Sequence, residues 1–287
     1  MGRIVALVFV SLLSSCSSVL KNEAVFVSGG LFTYHMNNGQ AIEVPISDLY
    51  VDTYEVTLAQ FYQFVQETGY ITTAEQKGGS YVFSDNALTS SITDISEWWT
   101  FKNGISWRNS FRDETEPIQF SNYPVAHVSH ADALAYCEWA GKRLPMAMEW
   151  LYIQQQNGAL SKFNKWEGVF PVHNSVTDGF VKTAPVNSFE SGQLGIYNLQ
   201  GNVWEWCADY YHQNWQEIIM RQPEEHRHLG ATRSYDPINP HGTFRVIIGG
   251  SYLCAANYCS GYEFGTLNSA EEDASYEHVG FRCVVSN

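Results

Sequence analysis

Arg245-Val-Ile-Ile-Gly249-Gly250-Ser251-Tyr252-Leu253-Cys254-Ala-Ala-Asn257-Tyr258-Cys259 is the stretch around which the rest of the chain is organised. The apolar run Val246 to Ile248 predicts a short buried strand. Gly249 and Gly250 then allow a bend or a close approach of backbone to another segment. Beyond them a hydroxyl, two phenols and two thiols five residues apart share nine positions. On spacing alone, Cys254 and Cys259 read equally well as a local disulfide in a structural loop.

Two further stretches carry the reading beyond that alternative. They are Asn198-Leu-Gln-Gly201-Asn202-Val203-Trp204-Glu205-Trp206 and His278-Val-Gly280-Phe281-Arg282-Cys283. With the first stretch they resemble the signature of the formylglycine-generating enzymes, the oxidases that activate sulfatases. The resemblance extends over nearly the whole chain after residue 24, including Asp132-Ala-Leu-Ala-Tyr-Cys137-Glu-Trp-Ala-Gly-Lys-Arg-Leu-Pro145. It implies an α+β fold of the irregular, loop-rich, C-type-lectin-like kind.

The N-terminus reads as a targeting signal. Arg3 supplies a positive start, and Ile4 to Leu13 form an apolar run too short to span a bilayer. Leu13-Ser14-Ser15-Cys16 resembles a bacterial lipoprotein cleavage box. Residues 1–15 are then a signal peptide, Cys16 the lipidated first residue, 16–23 a short tether and 24–287 the domain. An ordinary secretory peptide with Cys16 incidental is the competing reading. Both export the chain, and the first anchors it to a membrane at the periplasmic face or the cell surface.

Of the 287 residues 45% are hydrophobic and 15% aromatic, enough to fill a sizeable core. No linker divides the chain. The net charge of −14 argues against a nucleic-acid partner, because phosphate binding needs a basic face. It is compatible with a basic peptide.

Short strands are expected at Ala24–Val27, Leu31–Tyr34 and near Leu49–Val51. Thr57 and Gln60 form a capping-box pattern, followed by Leu58, Phe61, Tyr62 and Val65 on one helical face and by Gly69 as the stop. Ser129 and Asp132 open a second helix the same way. A third, around Glu149-Trp150, has Met146 where the family carries a capping Thr, so a weaker start is expected. Between the capped helices, Thr73 to Asn122 has little periodicity but several aromatics, and residues 212–244 read as a second long loop. The pair His226 and His228 in that loop is assigned no role.

The resemblance also implies a site. Cys254 and Cys259 would hold Cu(I), which prefers sulfur donors, and the substrate cysteine would join them as a third thiolate. Ser251 and Tyr258 match residues lining the oxygen-activating pocket, and Trp204 one that walls it. His278 stands where animal members carry Asn. Trp107, Arg108 and Glu75 fall in the region that helps form the groove for the substrate peptide. Asn164, Lys165, Asp178 and Phe180 match one structural calcium site. Asn198, Gly201, Val203 and Glu205 match another, with the mixture of oxygen donors that calcium takes. Cys137 and Cys283 match a family disulfide, and Cys207 is left as a buried thiol.

The implied activity uses molecular oxygen to convert a cysteine of exported, unfolded sulfatases, in a Cys-x-Pro-x-Arg setting, to formylglycine. The alternatives are a related exported oxidase acting on a small metabolite, a non-catalytic lipoprotein that uses the fold for binding or assembly, and a non-haem iron relative. The intact pair Cys254 and Cys259 with Ser251 and Tyr258 argues against the last two.

Overall fold

A computed structural model describes residues 23–36, 38–84 and 98–287. Cys16 and the proposed signal peptide lie outside them. The chain begins with β1 (Ala24–Val27), β2 (Gly30–His35), β3 (Ala41–Ile46) and β4 (Leu49–Asp52), then α1 (Leu58–Thr68) and α2 (Thr73–Lys77). Next come β5 (Gly79–Phe83), β6 (Trp99–Asn103), α3 (His130–Trp139) and α4 (Ala147–Asn157). The short pair β7 (Gly168–Val169) and β8 (His173–Asn174) precedes β9 (Trp204–Tyr210), α5 (Trp215–Arg221) and β10 (Phe244–Ile248). The chain closes with β11 (Leu267–Glu271), β12 (Val279–Gly280) and β13 (Val284–Ser286).

The central sheet has the order β11-β10-β9-β12, and β1-β4-β13 form a second sheet. The pairs β2-β3, β5-β6 and β7-β8 are separate two-stranded sheets. Helices and sheets are thus segregated and joined by long irregular segments, an α+β architecture. One core packs α4 against the N-terminal strands through Trp150, Phe32 and Val44. Another packs α1 and α3 against Trp206 and Phe281. A smaller one, with Trp98, Trp166, Phe170 and Leu253, lies beside the cysteine stretch.

The expected caps are formed. Gln60 N donates to Thr57 Oγ1 and Thr57 N to Gln60 Oε1, while Gly69 ends α1 at φ 67°. Ser129 and Asp132 repeat this exchange at α3. The start of α4 is firmer than Met146 predicts. Met146 N donates to Glu149 Oε2 at 2.8 Å, and Ala147 N to Asp209 Oδ2 at 2.6 Å. A carboxylate from β9 therefore replaces the missing cap.

Three other expectations change. Strand β3 was not predicted. The segment 73–122 holds α2, β5 and β6, and residues 212–244 hold α5 and a 3-10 turn at Glu224–Leu229.

Candidate functional site

Strand β10 delivers the cysteine stretch from the middle of the central sheet. Its buried end, Val246 to Ile248, stops at Gly249 and Gly250, with φ of 98° and 78°. A Cβ at Gly250 would stand 2.7 Å from the Tyr262 nitrogen, so only glycine fits this turn. Cys254 N then donates to Ser251 O at 2.9 Å, and Cys259 N to Ala255 O at 3.0 Å. These two turns fold residues five apart onto each other, and the thiols meet with Sγ atoms 2.9 Å apart. Leu253 N donates to Ser251 Oγ at 3.3 Å, which fixes the hydroxyl at the base of the turn.

The other two motifs converge on the same place. Gly201 N donates to Gly249 O at 2.8 Å and Tyr252 N to Asn202 O at 3.0 Å. Strand β12 runs parallel to β9 with Val279 opposite Trp204, and Trp204 N donates to His278 O at 2.9 Å. Gly261 lets the Trp204 indole and Cys259 approach, since a Cβ there would collide with the indole. Cys254, Cys259, Ser251, Tyr258, Trp204 and His278 all line one cavity of about 330 Å³.

Five aromatic residues, Phe83, Trp98, Trp99, Phe170 and Tyr276, make up much of its remaining wall, which Asn268 and Ser269 of β11 also join. Tyr258 stacks on Phe170 with centroids 4.9 Å apart and meets Trp98 edge-on at 4.5 Å. Trp99 stacks on His278 at 4.4 Å. These five aromatic wall residues carry no motif. They come from the β5-β6 hairpin, the β7 end and the segment before β12, so only their aromatic character could have flagged them.

Burial sets the ionisation of the pocket. It raises the Cys254 thiol well above its ordinary value, whereas a hydrogen bond from Cys254 lowers that of Cys259. Tyr258 is pushed up to about 12 by burial and keeps its proton. Burial brings His278 down to about 3, so its imidazole is neutral, and Nδ1 has no hydrogen-bond partner among the described residues. Two adjacent thiols beneath an open, aromatic-walled space form a soft donor set of the kind copper(I) selects.

Trp107, Arg108 and Glu75 do not line this cavity. Trp107 is fully buried against Phe61, centroids 5.3 Å apart, because the 3-10 turn capped by Ser106 tucks the indole inward. Arg108 lies over that indole and bonds Glu75 at 3.1 Å, beside a separate cleft with Arg112, Lys182 and Glu277. Glu75 also accepts from Thr72 N at 2.9 Å and so caps α2.

The two calcium sets differ. Asn164 Oδ1 and Asp178 Oδ2 are buried atoms without a hydrogen-bond partner among the described residues, as oxygens kept for a hard cation would be. Asn164 is held by its amide nitrogen, which donates to Lys182 O and Asn202 Oδ1. The resemblance assigns the main-chain oxygens of Lys165 and Phe180 to the same set. In the second set Glu205 is committed otherwise. Its carboxylate accepts from Arg282 Nη2 at 2.6 Å, Arg282 Nε at 2.7 Å and Trp150 Nε1 at 2.9 Å. Asn198 donates to Glu55 at 2.9 Å. The Glu205 carboxylate of this second set, unlike the Asn164 and Asp178 oxygens, is thus already met by a buried guanidinium.

Cys137 and Cys283 are both buried, with Sγ atoms 2.7 Å apart. Cys207 is fully buried, and burial raises its thiol.

The family model described as "Sulfatase-modifying factor enzyme 1-like domain" matches residues 12–287. The chain is 37% identical over 265 residues to the formylglycine-generating enzyme of Thermomonospora curvata, covering 85% of this chain and 84% of that protein. It is 36% identical over 290 residues to the formylglycine-generating enzyme of Mus musculus, covering 91% and 74%. Among solved structures, PvdO from Pseudomonas aeruginosa superposes with a TM-score of 0.61 at 18% identity, covering 94% of this chain and 98% of that one. This last likeness is one of fold.

Proposed function

Because this chain belongs to the sulfatase-modifying factor family, that of the formylglycine-generating enzymes, we propose that it oxidises a cysteine of an unfolded, exported sulfatase to formylglycine. The cysteine lies in a Cys-x-Pro-x-Arg setting, copper(I) is held by Cys254 and Cys259, and molecular oxygen is the oxidant. The observation that carries this reading is the pair of thiols 2.9 Å apart beneath a cavity of about 330 Å³. Copper(I), when bound, supplies the redox chemistry that joins oxygen reduction to oxidation of a thiol-bearing carbon.

The chain's own residues do the rest. Ser251 and the turn it anchors hold Cys254 in place, and Trp204 packs against the Cys259 side through the gap at Gly261. The rings of Trp98, Phe170 and Tyr258 pack into an apolar wall beside the thiols. Tyr258 offers an O–H donor, and neutral His278 offers an Nδ1 without a hydrogen-bond partner among the described residues, where animal members have an amide. A space of this size admits a side chain on an extended segment, not a folded domain. The substrate is therefore unfolded polypeptide, such as a chain that has just crossed a membrane. Lipidation at Cys16 keeps the enzyme on that side, the Cys137–Cys283 pair is a disulfide in that oxidising compartment, and calcium occupies the Asn164 and Asp178 set.

The test is copper-loaded protein mixed with a Cys-x-Pro-x-Arg peptide and read by mass spectrometry with an aldehyde-reactive probe. We expect conversion by the native protein, and none by Cys254→Ser or Cys259→Ser, each still folded by circular dichroism. Undiminished turnover in either variant removes copper from the proposal. Oxidation of a small thiol metabolite with the peptide untouched moves the assignment to the metabolite oxidase.

A further inference from the structure

Strand β5 is paired along both edges. One edge meets β6, from Gly79 opposite Asn103 to Phe83 opposite Trp99. On the other, Tyr81 N donates to Ser275 O and Glu277 N to Tyr81 O, at 3.0 and 3.1 Å. Among the described residues, strand β6 is paired on its β5 side alone and no strand joins its other edge. Hydrogen bonds flanking the hairpin, Gly104 N to Gly78 O and Ser84 N to Trp98 O, fix its phase. Main-chain groups alternate along an antiparallel pair, so Thr100 and Lys102 face β5. Trp99, Phe101 and Asn103 therefore direct theirs to the open edge. That edge starts at the cysteine cavity, since Trp99 lines it, and continues past Phe101, which is 41% exposed.

We propose that the open edge of β6 takes the substrate as an added strand, paired through the main chains of Trp99, Phe101 and Asn103. The inference rests on the peptide-oxidase reading above. The motif's spacing fits it independently. In a strand, residues two apart share a face, so Cys, Pro and Arg of Cys-x-Pro-x-Arg all point to one side. Proline has no N–H and is tolerated in a strand only where that position faces away from the ladder. With Pro in that phase, Cys and Arg also turn their main chains outward. The two intervening residues, whose identity the motif leaves free, make the hydrogen bonds. Their recognition through backbone explains why any side chain serves there. The shared face carrying Cys, Pro and Arg lies over the aromatic side chains of Trp99, Phe83 and Tyr81, which stand on one face of the hairpin with Phe101.

The test measures binding of a fluorescein-labelled Cys-x-Pro-x-Arg peptide to the full-length, metal-free protein, alongside conversion by the copper-loaded protein. Replacing the amide nitrogen of either intervening residue by an ester oxygen removes one ladder donor. We expect Kd to rise roughly ten-fold for each. The same replacement at Arg changes little. Phe101→Pro, which deletes an outward N–H at an edge position, raises KM by a similar factor with kcat nearly constant, whereas Phe101→Leu does not. If Phe101→Pro fails to fold, the ester peptides on native protein carry the test. Binding that weakens equally at all positions, or at none, overturns the added strand while leaving the peptide reading intact. The alternating pattern without any oxidation supports the added strand and removes the oxidase reading. No binding to native protein overturns both.

Discussion

Asp209 is a fully buried carboxylate whose one assigned task is to accept from Ala147 N at the start of α4. Burial raises its pKa to about 7, from about 4 for an unfolded aspartate. The native state therefore binds the extra proton across that interval. The stability contribution is complete below about pH 4 and is lost as pH rises through about 7. Asp209→Asn should flatten that decline, by at most about 1.4 kcal/mol per pH unit, in urea unfolding followed across the interval. A slope unchanged by the substitution would show that another group titrates there. His278 was legible as a site residue from its motif, but its neutral state and its stack on Trp99 were not. Both follow from packing against residues far away in the chain.

Among the elements, helix starts were read well because a cap is a four-residue pattern. Thr57 with Gln60 and Ser129 with Asp132 both formed as expected. Thr72 with Glu75 is a third box, closed by Gly78 at φ 76°. The α3 cap also fastens α2. Asp132 accepts from Ser129 N at 2.8 Å, from Thr73 N at 2.9 Å and from Tyr70 Oη at 3.1 Å. Removing such a buried acceptor orphans three donors, so Asp132→Ala should cost about 2–3 kcal/mol. It should also speed amide exchange over residues 72–78 more than over α4. Equal protection of α2 in the variant and the native protein would mean that α2 is held by something else. The cap at α4 shows the limit of local reading, since its carboxylate comes from β9, some sixty residues on.

Across the molecule, the C-terminal segment ties the parts together. Arg282 reaches Glu205 in β9 and the main chain of Tyr197, while Cys283 sits against Cys137 in α3. The proposed disulfide spans 146 residues, which chain entropy alone values at about 5 kcal/mol. Strong reductant should lower the melting temperature, and Cys137→Ala with Cys283→Ala should remove that response. Non-reducing peptide mapping that finds both as free thiols would refute the bond. The sequence by itself determined the fold family, the strand and glycine turn before Ser251, and the close cysteine pair that follows it. Each of those is written in residue types at short, fixed spacings, and the chemistry depends on those types. Only the tertiary structure decided that Trp107 is core, that Glu205 belongs to Arg282, and that β5, β6 and Phe170 wall the thiols. Those facts depend on which distant segments pack together, and burial and pairing between such segments leave no pattern along the chain.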